Sequence, residues 1–186
     1  MDAELVEEKK LRANSAELIT QFSALTDYLK PGCQVLDLAC GSGRNGQWFT
    51  NRGCHVSYLD RDLSGLDVVT DDASSIELLK WDLENGCAPA LPQERYDIVL
   101  VFNYLHRPLF AQIIDSVKPG GLIIYETFTE QQAQIGRPRN PAFLLKAGEL
   151  KALVANWRTL HYAEDLFTEL PTASYKAQLI AQKPLV

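Results

Sequence analysis

The sequence lacks any apolar run long enough to cross a membrane, although 46% of its 186 residues are hydrophobic. A membrane-spanning helix needs about 20 consecutive apolar residues. The opening segment, MDAELVEEKK, also lacks the apolar core of a secretion signal. We therefore expect no membrane partner and a cytoplasmic location.

Cysteine and histidine are scarce, and neither is spaced as a metal ligand. The chain has three histidines and four cysteines, at Cys33, Cys40, Cys54 and Cys87. The cysteines show none of the short paired spacings of zinc sites, so no metal is expected. Without a secretion signal, their simplest interpretation is free thiols in a reducing compartment.

An excess of positive charge is also missing, since the formal net charge is −6. Nonspecific binding to nucleic acid depends on a basic surface, so the charge argues against a nucleic-acid partner. The length favours one domain over 1–186, with an N-terminal helical segment over 1–30 and an α/β core over 31–186. Nothing in the sequence indicates the oligomeric state.

The most informative stretch runs from Gln34 to Phe49, QVLDLACGSGRNGQWF. A short apolar strand is followed by a glycine turn and then by the opening of a helix, an arrangement that cradles ligands. The letters from Gly41 to Gly46 also spell G-x-G-x-x-G, the dinucleotide fingerprint. At this point the site could hold a nicotinamide or flavin cofactor, or S-adenosyl-L-methionine.

Predicted strands alternate with predicted helices along most of the chain. The strands cover 34–39, 55–59, 76–79, 96–102, 122–125, 157–161 and 175–182, and the helices cover 3–29, 45–52, 64–69, 109–117 and 148–156. This alternation predicts a doubly wound, parallel sheet. The segment 127–147 is predicted to be a long loop, and loops of that length in a compact domain are often functional.

Polar residues and glycines follow several of these strands. Ligands bind at the carboxyl ends of the strands in such sheets, so we expect one site there. Its residues are Asp37, Gly41, Gly43, Asp60, Asp82, Asn103 and Glu126.

The order of these motifs resembles that of class I S-adenosyl-L-methionine (SAM) dependent methyltransferases. The resemblance covers roughly 31–126 and is carried by LDLACGSG, Asp60, Asp82-Leu83, YDIV and VKPGGL. The stretches GSGRNGQWF and NYLHRPLF are most similar to small tellurite-resistance-type methyltransferases. The resemblance implies a Rossmann-like α/β fold, doubly wound, with a mainly parallel seven-stranded sheet and an antiparallel C-terminal strand pair.

The nicotinamide alternative shares one feature with this family, because both expect an acid shortly after the glycine loop, here Asp60. Three other features favour the methyltransferases: Asp37 four residues before Gly41, the Asp82-Leu83 pair and the K-P-G-G turn. A second mononucleotide-binding half is hard to find in the remaining sequence. An NAD-binding oxidoreductase is therefore the weaker alternative.

The resemblance implies roles for individual residues. Asp37 would position the methionine part, Asp60 would accept hydrogen bonds from the ribose hydroxyls, and Asp82 would accept one from the adenine amino group. For each acid the alternative is a strand-end or loop carboxylate without a ligand. The implied cofactor-binding set is Asp37, Ala39, Gly41, Gly43, Asn45, Asp60, Arg61, Asp82, Leu83 and Asn103.

Acceptor-binding residues are expected on the two segments that would face the methyl group. The catalytic candidates are His106, Glu126 and Tyr104, and His106 would be the natural base. The substrate-binding candidates are Arg107, Arg137 and Arg139. If these arginines converge they favour an anionic acceptor, and the alternative is separate surface arginines paired with local acids.

The resulting prediction is SAM-dependent methyl transfer to a small acceptor molecule. If the three arginines converge, this acceptor would be an anion. Two alternatives besides the oxidoreductase stay open. One is a SAM-binding protein without turnover of its own, and the other is a nucleic-acid or protein methyltransferase.

Overall fold

The structure is a computed structural model, and it describes residues 15–69, 72–168 and 172–185. The chain divides into two compact units, Met1–Trp81 and Asp82–Val186. The prediction of one domain over 1–186 stays a prediction. Residues 3–14 of the predicted helix over 3–29 lie outside the described residues.

The first unit contains three parallel strands, β1 (Gln34–Leu38), β2 (His55–Asp60) and β3 (Ile76–Lys80). Their positions confirm the predicted strands to within one residue. The strands β1 and β2 bury nearly all of their side chains. This burial explains their near-continuous apolar sequences, which are typical of parallel strands covered on both faces.

Helices are shorter in this unit than the sequence predicts. The predicted N-terminal helix appears as α1 (Glu17–Gln21) and a separate 3₁₀ helix over Ser23–Tyr28, interrupted at Phe22 with φ −79° and ψ 87°. Thr20 and Thr26 donate their hydroxyls to backbone carbonyls nearby, which competes with a continuous helix. The second helix, α2 (Arg44–Thr50), lies where it was predicted.

The predicted helix over 64–69 is wrong, because this segment forms turns. Asp62 accepts the N–H of Ser64 in a local turn, and Asp67 donates its N–H to the carbonyl of Ser42. The Gln47 side chain of α2 pairs with both the N–H and the carbonyl of Val69. The backbone of this segment therefore bonds to the glycine turn and α2 instead of to itself.

The second unit contains four strands, β4 (Tyr96–Phe102), β5 (Val117–Phe128), β6 (Arg158–Phe167) and β7 (Ser174–Gln182). β4 and β5 are parallel, whereas β7 is antiparallel to both β5 and β6. β5 starts earlier than predicted because the K-P-G-G sequence forms an irregularity inside the strand, where the register with β4 shifts.

The helices of this unit are α3 (Phe110–Ser116), α4 (Gln132–Ile135) and α5 (Glu149–Leu153), with 3₁₀ helices over Arg107–Leu109 and Pro141–Phe143. The predicted long loop over 127–147 therefore contains two short helices. It also contains an isolated parallel bridge between Thr129 and Leu145.

The seven strands of the described residues form a mixed sheet in the order β3-β2-β1-β4-β5-β7-β6. This order confirms the predicted α/β fold with a mainly parallel sheet and an antiparallel C-terminal pair. Within the part of the chain that the structure describes, no helix is long and apolar enough to span a membrane.

Candidate functional site

The turn between β1 and α2 takes a left-handed backbone at three positions. Ala39, Gly41 and Gly43 have φ values of 56°, 54° and 77°, respectively. The turn is closed by a 2.8 Å hydrogen bond from the N–H of Gly43 to the carbonyl of Cys40. Glycine adopts this backbone without strain, so the sequence G-S-G matches the geometry that it must form.

The two glycines of this turn, Gly41 and Gly43, serve different purposes. A Cβ at Gly43 would lie 2.6 Å from the side chains of Leu66 and Val68, so packing excludes it. A Cβ at Gly41 would meet no atom of the described residues within 4 Å. Gly43 is thus required by packing within the protein, whereas exposed Gly41 leaves its backbone open to a ligand.

Asp37 lies buried at the end of β1, with only 2% of the residue exposed. The N–H of Gly46 donates to its Oδ2 at 2.8 Å. Burial raises the pKa of Asp37 from 3.8 to about 7, although the Gly46 hydrogen bond and nearby Arg44 act in the opposite direction. This carboxyl group is therefore partly protonated near neutral pH.

Asp60 ends β2 beside the glycine turn, and its carboxylate is half-buried. Its Oδ2 accepts the N–H of Gly41 at 2.9 Å, and its Oδ1 accepts the N–H of Asp62 at 3.1 Å. A carboxylate has about four lone-pair sites, so both oxygens can accept further hydrogen bonds. Arg61 is exposed next to it.

Asn45, in the first turn of α2, is buried and holds the N-terminal segment. Its Oδ1 accepts the backbone N–H of Ala16 at 2.9 Å. The hydroxyl of Ser15 donates to the carbonyl of Arg44 at the same place. The side chain of Asn45 thus has a structural contact, and its predicted cofactor contact stays a prediction.

In the second unit, Asp82 and Leu83 lie half-buried just after the boundary at Trp81. Oδ1 of Asp82 accepts the N–H of Glu84 at 3.0 Å, which makes Asp82 the first residue of a local turn. The predicted adenine contact of this pair stays a prediction.

The segment after β4 is fixed to β5 at two successive residues. Asn103 is exposed, has φ 54° and donates its N–H to the carbonyl of Glu126 at 2.8 Å. The hydroxyl of buried Tyr125 donates to the carbonyl of Tyr104 at 3.0 Å. The backbone of the predicted acceptor-facing segment therefore has a defined position.

Glu126 lies in a buried polar network, with 2% of its side chain exposed. Its Oε1 accepts from the ammonium of Lys176 at 2.6 Å, and its Oε2 accepts from the amide of Gln178 at 2.8 Å. Gln178 in turn lies 3.1 Å from Nε2 of His161. Both carboxylate oxygens thus have protein partners, and the predicted catalytic role of Glu126 stays a prediction. Lys176 and Gln178 were not predicted, because no short motif contains them.

Arg107 also has protein partners that the sequence did not predict. Its guanidinium forms a two-point ion pair with Glu149, and it donates to the carbonyls of Ala142 and Leu144. Arg137 and Arg139 are exposed, and Nε of Arg139 lies 3.4 Å from the carbonyl of Gly136. His106 is half-buried at the start of the 3₁₀ helix. The structure thus assigns partners to Arg107, while the three predicted substrate-binding roles stay predictions.

Comparison with known proteins gives related sequences and structures. A curated relative, the probable S-adenosyl-L-methionine-dependent methyltransferase TehB of Haemophilus influenzae, is 28% identical over an alignment of 143 residues that covers 72% of this chain and 49% of that protein. A malonyl-[acyl-carrier protein] O-methyltransferase of Serratia marcescens is 25% identical over 155 residues, covering 78% of this chain and 59% of that one. The chain spans about half the length of the curated TehB that it matches.

Solved structures share the fold. The crystal structure of TehB from Haemophilus influenzae superimposes with a TM-score of 0.66 at 21% identity, over 90% of this chain and 61% of that chain. The N-methyltransferase NodS of Bradyrhizobium japonicum gives a TM-score of 0.64 at 13% identity, over 99% of both chains.

The family assignment comes from the sequence. The model of the family described as tellurite resistance protein TehB matches residues 9–180, which is most of the chain. The protein therefore belongs to the TehB family.

Proposed function

We propose that this protein binds S-adenosyl-L-methionine and transfers its methyl group to a small acceptor molecule. The names of the relatives from Haemophilus influenzae and Serratia marcescens support this activity. The observation that carries the proposal is the contact between Asp60 and the amide of Gly41, which joins the acid after β2 to the glycine turn after β1.

The residues around this contact fit the proposed cofactor. Gly41 is exposed with open space where a side chain would be, so the cofactor can approach the backbone. The carboxylate of Asp60 has lone pairs left for the two ribose hydroxyls. The buried side of the turn, at Gly43, is filled by Leu66 and Val68 and holds the turn in shape.

Asp37 would act on the methionine part of the cofactor through its charge. Burial raises its pKa to about 7. A nearby ammonium or sulfonium favours the ionised carboxylate and lowers that pKa. Below pH 7, binding of the cation would therefore release a proton from Asp37.

When bound, the cofactor supplies an activated methyl group on a cationic sulfur, and the protein supplies orientation and exclusion of water. A thiolate or an oxyanion of a heavy element needs no base. An amine or hydroxyl must lose a proton, and His106 would accept it, with Tyr104 beside it. Glu126 is a weaker candidate for this role, because its side chain is only 2% exposed and each of its oxygens already accepts a hydrogen bond, from Lys176 or from Gln178.

We propose an anionic acceptor, and Arg137 and Arg139 support it as exposed guanidinium groups. The family description names tellurite, and the relative from Serratia marcescens is named for a malonyl group. Both are anions. The acceptor is therefore expected among oxyanions and carboxylates.

We propose the cytoplasm as the place of the reaction, because four cysteines in 186 residues are far fewer than a disulfide-stapled secreted domain carries, which fits a reducing compartment.

Calorimetry with SAM, S-adenosylhomocysteine and NAD tests the proposal. We expect micromolar binding of the first two and none of NAD. A panel of tellurite, selenite, thiols and small carboxylates, with SAM labelled in its methyl group, then tests transfer. Binding without transfer to any acceptor would favour a SAM-binding protein without turnover, and salt-sensitive binding of RNA would favour a nucleic-acid substrate.

A further inference from the structure

Arg107 joins two segments that are far apart in the sequence. Its Nε donates to Oε1 of Glu149 at 2.6 Å, and its Nη2 donates to Oε2 of Glu149 at 2.8 Å. This two-point geometry matches the planar guanidinium to the planar carboxylate. The ion pair is partly shielded, with 34% of the Arg107 side chain and 22% of the Glu149 side chain exposed.

The same guanidinium also donates to backbone carbonyls. Nη1 donates to the carbonyl of Ala142 at 3.1 Å, and Nη2 donates to that of Leu144 at 2.8 Å. These bonds and the ion pair use one N–H of Nε, one of Nη1 and two of Nη2, out of the five that an arginine has. Little donor capacity remains for an anionic acceptor.

Glu149 contacts the segment as well. Its Oε2 accepts the N–H of Lys146 at 2.8 Å, so this carboxylate joins Arg107 to the turn before α5. The hydrogen bond from Arg107 lowers the pKa of Glu149 and keeps it ionised. The N–H of Gly148, in the same segment, donates to the carboxylate of Glu164 at 2.9 Å.

The segment Ala142–Glu149 is thus held at several points, and the side chain of Arg107 joins it to the residues after β4. Those residues lie at the carboxyl end of a parallel strand, where ligands of this fold class bind. A lysine at 107 would keep the positive charge, but it could not form the same fork of bonds.

We propose that Arg107 and Glu149 form a positioning pair that fixes Ala142–Glu149 as one side of the acceptor site, and that Arg107 does not itself bind the acceptor. This inference deepens the proposed function and rests on it. Under this proposal, Arg107 acts through the segment that it holds instead of contacting the acceptor.

Hydrogen exchange measured by mass spectrometry tests the pair without any acceptor. We expect Arg107→Lys and Glu149→Gln each to speed exchange of the amides of 142–149 by about fivefold or more, because local opening becomes easier. The double variant Arg107→Lys/Glu149→Gln should exchange about as fast as the faster of the two single variants, because both changes break the same interaction. Lys118→Met, which breaks the separate pair with Asp97, should leave 142–149 unchanged. If exchange of these amides is unchanged in both single variants, the claim that Arg107 and Glu149 hold the segment is wrong.

Kinetics with tellurite as acceptor then separate positioning from anion binding. A positioning pair predicts that Arg107→Lys and Glu149→Gln both raise the KM for tellurite, by about tenfold, with affinity for S-adenosylhomocysteine changed by about twofold or less. If Arg107 instead binds the acceptor anion itself, the two variants should change the KM for tellurite in opposite directions. Arg107→Lys would raise KM, whereas Glu149→Gln would free the guanidinium and lower it. Changes in KM of opposite direction in the two variants would overturn the role of the pair in the acceptor site. Faster hydrogen exchange together with an unchanged KM would overturn it as well.

The two proposals fail in different ways. If the wild-type protein binds neither SAM nor S-adenosylhomocysteine, the proposed function is wrong. The exchange experiment still decides whether Arg107 and Glu149 hold the segment, because it needs neither compound.

Discussion

Asp60 and Gly41 are joined by a 2.9 Å hydrogen bond from the backbone N–H of Gly41 to Oδ2 of the Asp60 carboxylate. The bond connects the ends of two neighbouring parallel strands through one carboxylate. It orients the glycine turn and at the same time leaves lone pairs of the carboxylate available. The proposed cofactor site depends on this relationship.

The first prediction concerns this carboxylate. Asp60→Ala should weaken binding of S-adenosylhomocysteine by about 10- to 100-fold, the effect expected when hydrogen bonds to a charged group are lost. Asp62 lies two residues away and is exposed, with its Oδ1 bonded to the N–H of Ser64. Asp62→Ala should therefore change affinity by about twofold or less. Calorimetry measures both variants, and equal losses would remove the role assigned to Asp60.

The second prediction concerns packing at Gly46. A Cβ there would lie 2.5 Å from Cε1 of Tyr58 and 2.9 Å from Oδ2 of Asp37. Gly46→Ala should lower the free energy of unfolding by about 1–3 kcal/mol, as overpacking of a core does. At Gly65 a Cβ would meet no described atom within 4 Å, so Gly65→Ala should change the free energy of unfolding by about 0.5 kcal/mol or less. Urea denaturation of the two variants gives the comparison, and equal stabilities would contradict the contact.

The third prediction concerns pH. The pKa of Asp37 is raised by burial from 3.8 to about 7 in the folded protein. Between these two values the folded state holds more protons than the unfolded state, so stability falls as pH rises from about 4 to about 7. The contribution of Asp37 is fully present below about pH 4 and is lost above about pH 7, with a slope of at most about 1.4 kcal/mol per pH unit.

Asp37→Asn should remove this contribution, because the amide does not titrate and its oxygen can still accept the N–H of Gly46. The measurement is the free energy of unfolding of both proteins at several pH values between 4 and 8. If the difference between them stays constant over that range, the raised pKa is contradicted.

The fourth prediction compares two ion pairs. Lys176→Met removes the partner of Glu126, whose side chain is 2% exposed, and should destabilise the protein by about 3–5 kcal/mol because a buried charge loses its partner. Lys118→Met breaks the pair with Asp97, in which the two side chains are 36% and 35% exposed, and should cost about 1 kcal/mol or less. Similar losses in urea denaturation would contradict the burial of the first pair.

The sequence predicted the features that depend on local pattern. The apolar run from Tyr96 to Phe102 became β4 with the predicted bounds. The acid after the second strand, Asp60, lies beside the glycine turn as expected. Burial of an apolar run is enough to determine the first feature, and the second follows from the rule that ligand-binding residues lie at the carboxyl ends of parallel strands.

Features that depend on contacts between distant residues could not be predicted. The segment 64–69 reads as a helix, but Gln47 bonds both polar groups of the Val69 backbone and favours turns. Arg107 is separated from Glu149 by 42 positions in the sequence, and Glu126 from Lys176 by 50. No local pattern indicates such pairs, so the sequence showed the charges without their partners.

A crystal structure with S-adenosylhomocysteine tests the central claim most directly. We predict that its ribose hydroxyls contact the carboxylate of Asp60 and that the ligand lies against the exposed backbone of Gly41. The turn should keep its left-handed residues. Crystals in which this place stays vacant at saturating ligand, or in which NAD occupies it instead, would contradict the account.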